Sequence, residues 1–506
     1  MAWVLACRDP KPAAPPPVDS GGDSVTVPPV VATAETGFEL PPQWTFPHDT
    51  GPDVVPTGTT GDTGGVPIDT GPPPEPAPPC DHQPITRQVR LTGGDIGDWA
   101  GRWVDAADVD GDGCDEVVTS EPAFGVIHPP YSPITTAVYL VQDATVDGLL
   151  SDLAFATLEG IGGIDSWGAP LRLLPQSGQV ALGGRDGDLS MFFHSVPSLG
   201  DIVPYSAVLG TIEAHDLGFP SSSAAECHDS LGPAVCVGSI HAEPGLSDWS
   251  GKVWAYDAPV ESAVDVYDAR ATVAGDPGDR AELLVADADI DGDGVNDLVI
   301  GGYAHDGVGK VGVLLSLPDG DHALWDLADA TLTGEALGAS LGVGLAVGDL
   351  DGDGLGDVMA GAPFETGGGA AYVFYAPTTG DHPTSTADVA VRGSESWQWL
   401  GYDGAIGDVD GDGAADLSVG APWSVYTGPE PGRVLVYTAV GPGELDDTQA
   451  TITVVSGSTE PDAFGMAIEG GDFDGDGLYD LVVGAPVDPT GNVEAGSITL
   501  VYGASL

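Results

Sequence analysis

From residue 85 onward the apolar positions fall in runs of four to eight residues rich in Val, Leu and Ala, broken by Gly, Pro and Asp. No long stretch repeats its apolar residues at helical spacing, so the pattern predicts short strands joined by turns. Residues 341–392 show the unit most clearly. An apolar run at 343–347 enters an acidic loop, a second run at 358–360 leaves it and ends in Gly361-Ala362-Pro363, and further runs follow at 371–375 and 388–392. Four strands per unit describe one blade of a β-propeller.

The period fixes how many blades there are. Acidic loops begin at Asp108, Asp289, Asp349, Asp408 and Asp472, the last four about 60 residues apart. The 181 residues from Asp108 to Asp289 hold three such periods, so two further units without acids are expected between them. Aligning Gly183 and Gly238 with Gly420 and Gly484, which end second strands, places the missing loops at 171–179 and 226–234. The last unit stops after its third strand, at 497–502, and an orphan fourth strand at 86–91 precedes the first. Joining the two completes one blade and removes an exposed sheet edge. The expected fold is therefore all-β, a seven-bladed propeller of four-stranded blades over 85–506, closed by its N-terminal strand.

Within the five loops, positions 1, 3 and 5 are Asp, positions 4 and 6 are Gly, and position 9 is Asp or Glu. Position 8 varies: Asp115, Asn296, Gly356, Ala415, Tyr479. The side-chain ligands expected are Asp108, Asp110, Asp112 and Glu116 in the first loop, and Asp289, Asp291, Asp293 and Asp297 in the second. Asp349, Asp351, Asp353 and Asp357 form the third set, Asp408, Asp410, Asp412 and Asp416 the fourth, and Asp472, Asp474, Asp476 and Asp480 the fifth. A backbone carbonyl at position 7 (Cys114, Val295, Leu355, Ala414, Leu478) and a water would bring each set to the six or more oxygens that calcium takes. Glycines at 4 and 6 admit the positive φ that a tight loop needs. An EF-hand is excluded, because its position-12 Glu is replaced by Thr119, Ile300, Ala360, Val419 and Val483, and strands follow instead of helices. Four clustered carboxylates repel one another, and five repeats of that arrangement point to about five bound calcium ions.

The run Gly348-Asp349-Leu350-Asp351-Gly352-Asp353-Gly354, followed by a short apolar strand and Gly361-Ala362-Pro363, resembles the FG-GAP repeat of integrin alpha-chain propellers and their bacterial relatives. The resemblance covers 85–506, and it fails as a metal loop in the second and third repeats. It implies a calcium-binding adhesion or recognition module that receives its ligand on the face opposite the metal loops.

Composition agrees with a cation-binding extracellular protein. Asp plus Glu number 78 against 13 Lys plus Arg, giving a formal charge of -65 that disfavours nucleic acid and anionic lipid. Residues 1–7 end in Val4-Leu5-Ala6-Cys7, which resembles a bacterial lipobox with Cys7 as the lipidated residue and the rest of a signal upstream. Residues 8–84 are rich in Pro, Gly and Thr without periodicity and read as a disordered stalk. Localisation is expected to be extracytoplasmic: an outer-membrane or cell-surface lipoprotein, or a secreted protein. The remaining cysteines allow two disulfides, Cys227 with Cys236 and Cys80 with Cys114.

No motif assigns catalysis. Asp-Thr-Gly at Asp49, Asp62 and Asp69 lies in the Pro/Gly tract, which cannot clamp two carboxylates in a cleft. Gly338-Ala339-Ser340-Leu341-Gly342 matches a nucleophile elbow, but it occupies the turn before a first strand without a strand-turn-helix context. Ten histidines are scattered without zinc spacing. The loops on the face opposite the metal sites carry Trp249, Tyr303, Phe364, Trp423 and Tyr426 after second strands, and Trp99, Trp167, Trp397 and Trp399 before first strands. Exposed aromatics suit a carbohydrate or protein partner. The sequence thus favours a monomeric calcium-binding adhesion or recognition propeller with a protein or glycan ligand. A propeller-fold polysaccharide lyase or hydrolase, or a structural surface spacer, are the alternatives.

Overall fold

A computed structural model gives the architecture. It describes residues 87–506 except 95–98, 122–136, 143, 160–170, 187, 196–201, 205–207, 215–221, 230–231, 240–248, 286–287, 423–430, 490–494 and 504–505. Cys7, the Pro-rich tract and the Asp-Thr-Gly triplets lie outside the described residues.

Seven blades form a propeller ring. Blade five is representative: Leu345–Gly348, Asp357–Ala362, Ala370–Phe374 and Val389–Arg392 run antiparallel in that order. Blade seven is built from both ends of the chain. Ala467–Gly471, Asp480–Ala485 and Ser497–Val501 are completed by Val89–Thr92, with Val89 opposite Leu500 and Thr92 opposite Ser497. The closing strand begins at Val89, three residues later than the pattern predicted.

The core sits between blades. Second strands are buried along their whole length, as in Asp357–Ala362 and Asp416–Ala421, because both faces pack on neighbouring blades. One apolar cluster joins blade four to five through Val311, Val313, Leu345 and Val358; another joins five to six through Val373, Val391, Leu417 and Leu435. The recurring glycines set how closely blades approach. Gly401 (φ +84°) donates its N–H to the Gly420 carbonyl of its own repeat at 2.9 Å. A Cβ on it would lie 2.1 Å from the Ala370 carbonyl oxygen and 3.3 Å from the Gly361 Cα of the preceding blade, so only glycine fits.

The seven blades are four-stranded as expected, with one addition and one correction. Among the described residues, six of the seven sheets also gain a short strand from the connection between the third and fourth strands of the next blade, which adds in parallel to the outer strand, as Gly320–Ala323 does on Ala271–Ala274. The second and third repeats also lack open loops at 171–179 and 226–234. In blade two Leu171–Leu174 pairs with the start of Gln179–Asp186, leaving a four-residue turn. In blade three Ser222–Asp229 pairs with Gly232–Ser239 as far as Asp229 opposite Gly232. Without four mutually repelling carboxylates nothing holds these strands apart, and the ladders continue, in blade two to a tight turn. Glu226 braces the blade-two turn by accepting from Gln176 N at 3.0 Å and Ser177 N at 2.8 Å. The Cys227–Cys236 disulfide forms as expected, across diagonal positions of the blade-three hairpin with Cα atoms 5.8 Å apart.

Candidate metal centres

The five acidic loops share one geometry. In the blade-four loop, Asp289 at position 1 accepts from Gly292 N at 2.6 Å and Gly294 N at 2.7 Å, which wraps the chain around its carboxylate. Asp291 accepts from Asp293 N at 3.0 Å and Asp293 from Val295 N at 2.8 Å, each through Oδ1. Asp297, where the second strand leaves the loop, accepts from Ile290 N at 2.7 Å through Oδ2. The same bonds recur in the blade-five and blade-six loops. The glycines at positions 4 and 6 all have φ between +70° and +95°, the conformation the sequence required of them.

Backbone N–H groups therefore hold the loop carboxylates in place, through both oxygens at Asp289, Asp349 and Asp408, and bring them close to one another. One oxygen from each of Asp108, Asp110 and Glu116 lies within 4.8 Å of the others; so do oxygens of Asp289, Asp291 and Asp297, of Asp349, Asp351 and Asp353, and of Asp408, Asp410 and Asp416. Asp416 Oδ1 and Asp472 Oδ1 are buried and accept no hydrogen bond. A buried carboxylate oxygen without a donor is costly unless a cation meets it. An all-oxygen, carboxylate-rich set on a flexible loop fits a hard divalent ion such as calcium.

Position 9 carries the strongest electrostatic strain. Burial, with the other loop carboxylates adding repulsion, pushes Asp297, Asp357 and Asp416 up to about 6, and Glu116 and Asp480 up to about 8. Asp289 moves the opposite way, held low by its bonds from Gly294 and its neighbours. The blade-four loop thus combines a preset anion at Asp289 with a carboxyl at Asp297 that holds its proton unusually long.

The five loops occupy consecutive blades, four through seven and then one, and adjacent loops touch. The position-8 N–H donates to the position-1 carbonyl of the preceding loop: Gly356 to Asp289 at 2.8 Å, Tyr479 to Asp408 at 2.9 Å, Asp115 to Asp472 at 2.8 Å. Sequence reasoning dismissed position 8 because its side chain varies, and a backbone role leaves no such signal. The first loop differs from the rest. Gln142, after the third strand, donates Nε2 to Asp112 at 3.0 Å and Glu116 at 2.8 Å, where other blades have Leu315, Tyr375, Thr438 and Tyr502. Cys114 at position 7 is buried and disulfide-bonded; Cys80, its expected partner, lies outside the described residues.

The aromatic candidates divide. Phe364 is exposed and packs edge-on against Trp399 at 5.5 Å between ring centroids, Trp397 is 59% exposed, and Trp399 is largely covered. Tyr303 is buried, which removes it as a partner contact: its ring packs in the wall of blade four, beside Arg280. Trp249 is half-buried, with the same Arg280 guanidinium 5.1 Å over its ring. Trp423 and Tyr426 lie outside the described residues. Ser340 has φ +57°, but the equivalent Trp99, Arg280, Trp399 and Ala463 have φ between +54° and +58°, so this backbone belongs to the repeat and not to a nucleophile. Asp276, Asp279 and His305 form a further acidic-histidine group that sequence reading missed. Asp279 is engaged there by Trp325 Nε1 at 2.6 Å, Asp276 N at 2.7 Å and His305 Nδ1 at 2.8 Å, which makes it a hub of loop packing.

Comparison with known proteins agrees with this geometry. A family described as FG-GAP repeat matches residues 100–141, 341–374, 400–437 and 464–501, which fall in blades one, five, six and seven. Integrin alpha-5 of Xenopus laevis is 34% identical over 146 residues, covering 26% of this chain and 13% of its own. Integrin alpha-PS2 of Drosophila melanogaster is 38% identical over 106 residues, covering 19% and 7%. Phosphatidylinositol-glycan-specific phospholipase D of Rattus norvegicus is 30% identical over 212 residues, covering 38% and 25%. The chain thus spans a quarter or less of these relatives' own length. It is a propeller with FG-GAP repeats, similar to integrin alpha chains and to this phospholipase.

Proposed function

From these FG-GAP repeats we infer a calcium-stabilised extracytoplasmic recognition propeller, which binds a protein or carbohydrate partner on the face opposite its acidic loops. The observation that carries the reading is the arc of acidic loops whose carboxylates are fixed by backbone N–H groups, with three oxygens brought within 4.8 Å of one another in the Asp108, Asp289, Asp349 and Asp408 loops. The carboxylates of each loop would hold calcium, whose charge would offset their repulsion. The chain's own part is to hold Asp residues at positions 1, 3 and 5 in place and to release the position-9 proton. Five ions would supply about +10 against the formal -65, so the surface stays acidic. Millimolar calcium and stable disulfides both belong to an extracellular setting, which the likeness to integrin alpha chains supports. Attachment through a lipid on Cys7 follows from the lipobox-like start and is part of the same proposal.

For the partner, Phe364 and Trp397 offer exposed aromatic surface on the face away from the metal loops, with the covered Trp399 packed against Phe364. A glycan and surface-protein array probed in calcium and again in chelator tests the reading. Calcium-dependent capture that Trp397→Ala weakens at least tenfold supports it. Release of reducing ends from a captured glycan would point instead to a lyase or hydrolase, and no capture at all would leave a spacer.

A further inference from the structure

Position 8 of an acidic loop packs on the residue that precedes position 1 of the loop before it. Gly356 meets Ala288 there: a Cβ on Gly356 would lie 2.8 Å from the Ala288 Cβ. Tyr479 lays its ring over Gly407, where a Cβ would come within 2.3 Å of it. A larger side chain on one loop thus faces a smaller one on the other, and the pair fits only in that combination. Asp115 of the blade-one loop adds something that these two do not. Its N–H donates to the Asp472 carbonyl at 2.8 Å, and its Oδ2 accepts from the Asp472 N–H, also at 2.8 Å. Both backbone groups of Asp472 are therefore held by one residue 357 positions away in the chain. Gly471 makes the contact possible, because a Cβ on it would lie 2.3 Å from Asp115 Oδ2. The blade-seven loop that receives this clamp lacks a bond that the other four make for themselves. In those loops Oδ1 at position 1 accepts from the position-4 glycine: Gly111 N to Asp108 at 2.7 Å, Gly292 N to Asp289 at 2.6 Å, Gly352 N to Asp349 and Gly411 N to Asp408 at 2.8 Å. The corresponding oxygen of Asp472 is buried and accepts nothing, while its Oδ2 accepts from Gly477 N at 3.0 Å.

We propose that Asp115, from the blade-one loop, is a positioning residue for the ion site of the blade-seven loop, fixing the backbone of Asp472 so that its carboxylate is set in place for the ion. The inference rests on the calcium reading of the loops given above. A side chain swings on its backbone, so holding the peptide groups on both sides of Asp472 limits where its carboxylate can go. Ion binding then has less ordering left to supply, and the affinity rises accordingly. The clamp makes up for the position-4 bond that Asp472 Oδ1 does not receive. It also joins the last loop of the chain to the first: blade seven is closed by Val89–Thr92, and the two bonds from Asp115 carry the connection on to blade one. Nothing in the blade-one loop itself requires Asp at this position, since the blade-six loop has Ala415 and the blade-five loop Gly356.

Hydrogen exchange of the full chain, followed peptide by peptide across a calcium titration, reads each loop separately. Asp115→Ala should raise the calcium concentration that half-protects residues 472–480 by about fivefold or more, and leave that for residues 349–357 within about twofold of the unaltered chain. Asp115→Asn keeps a side-chain oxygen able to accept from the Asp472 N–H, and should hold the 472–480 midpoint within about twofold of the unaltered value. An unmoved 472–480 midpoint in Asp115→Ala, with the other loops still responding to calcium, overturns the proposal and leaves the calcium reading standing. Asparagine failing as alanine does overturns it as well, because the charge of Asp115 and not its hold on Asp472 would then set the affinity. Exchange that calcium slows in none of the five loops removes the calcium reading and this inference together.

Discussion

Loading the loops with calcium should expel protons in a number set by the position-9 carboxyls. Asp297, Asp357 and Asp416 sit near pH 6 in the ion-free protein and Glu116 and Asp480 near 8, while calcium accepts only their ionised forms. At pH 7 the latter pair each hold roughly 0.9 proton and the former three roughly 0.1 each, so about two protons leave per chain on saturation. At pH 6 the number rises to between about three and four, and at pH 8 it falls to about one. Calorimetric titration in buffers of different ionisation enthalpy reads this number as the slope of observed heat against buffer enthalpy. Stability follows with the corresponding sign. These carboxyls titrate higher when folded than their unfolded values of 3.8 and 4.5, so the ion-free fold binds the extra protons. Their contribution is present at low pH and lost as pH rises through 6 to 8, so the chelated protein melts lower at pH 8 than at pH 5. The increment that calcium adds grows over the same range. A proton count near zero at all three pH values, or one that rises with pH, refutes the reasoning.

Gly401→Ala places a Cβ against the Ala370 carbonyl at positive φ and should cost about 3 kcal/mol or more, read as a lower denaturant midpoint. Gly441→Ala, with nothing within 4 Å, should change it by less than about 0.5 kcal/mol. Replacing Cys227 and Cys236 together with Ser opens a loop spanning nine residues and should cost about 2.5 kcal/mol in the chain-entropy account, to the same extent with and without calcium.

Much of this architecture is legible in the sequence because the repeat is strong. The acidic loops and their glycines gave the period, and the orphan strand before Gly93 gave the closure of blade seven. The fifth strands were invisible for a physical reason: Gly320–Ala323 and Gly380–Pro383 are short, mostly polar and paired to a different repeat, so no alternation marks them. The collapsed turns of blades two and three were hidden too, since a missing acid says only that an ion is absent and not that the strands zip. Tyr303 and Phe364 both follow second strands, yet one is buried and the other exposed, a difference set by Arg280 and Trp399 from neighbouring loops. Gln142 stands alone at its repeat position, and only the structure brings it onto Asp112 and Glu116.

Equilibrium dialysis against about 1 mM calcium, with the bound ion counted by atomic emission, bears most directly on the acidic loops. Binding near 0.1 mM would stabilise each site by roughly 1.4 kcal/mol, enough in sum for a sharp drop in melting temperature on chelation. The count should be about five ions per chain, falling to about four in Asp412→Ala. A chain that retains no calcium, and melts at the same temperature in excess chelator, contradicts the account.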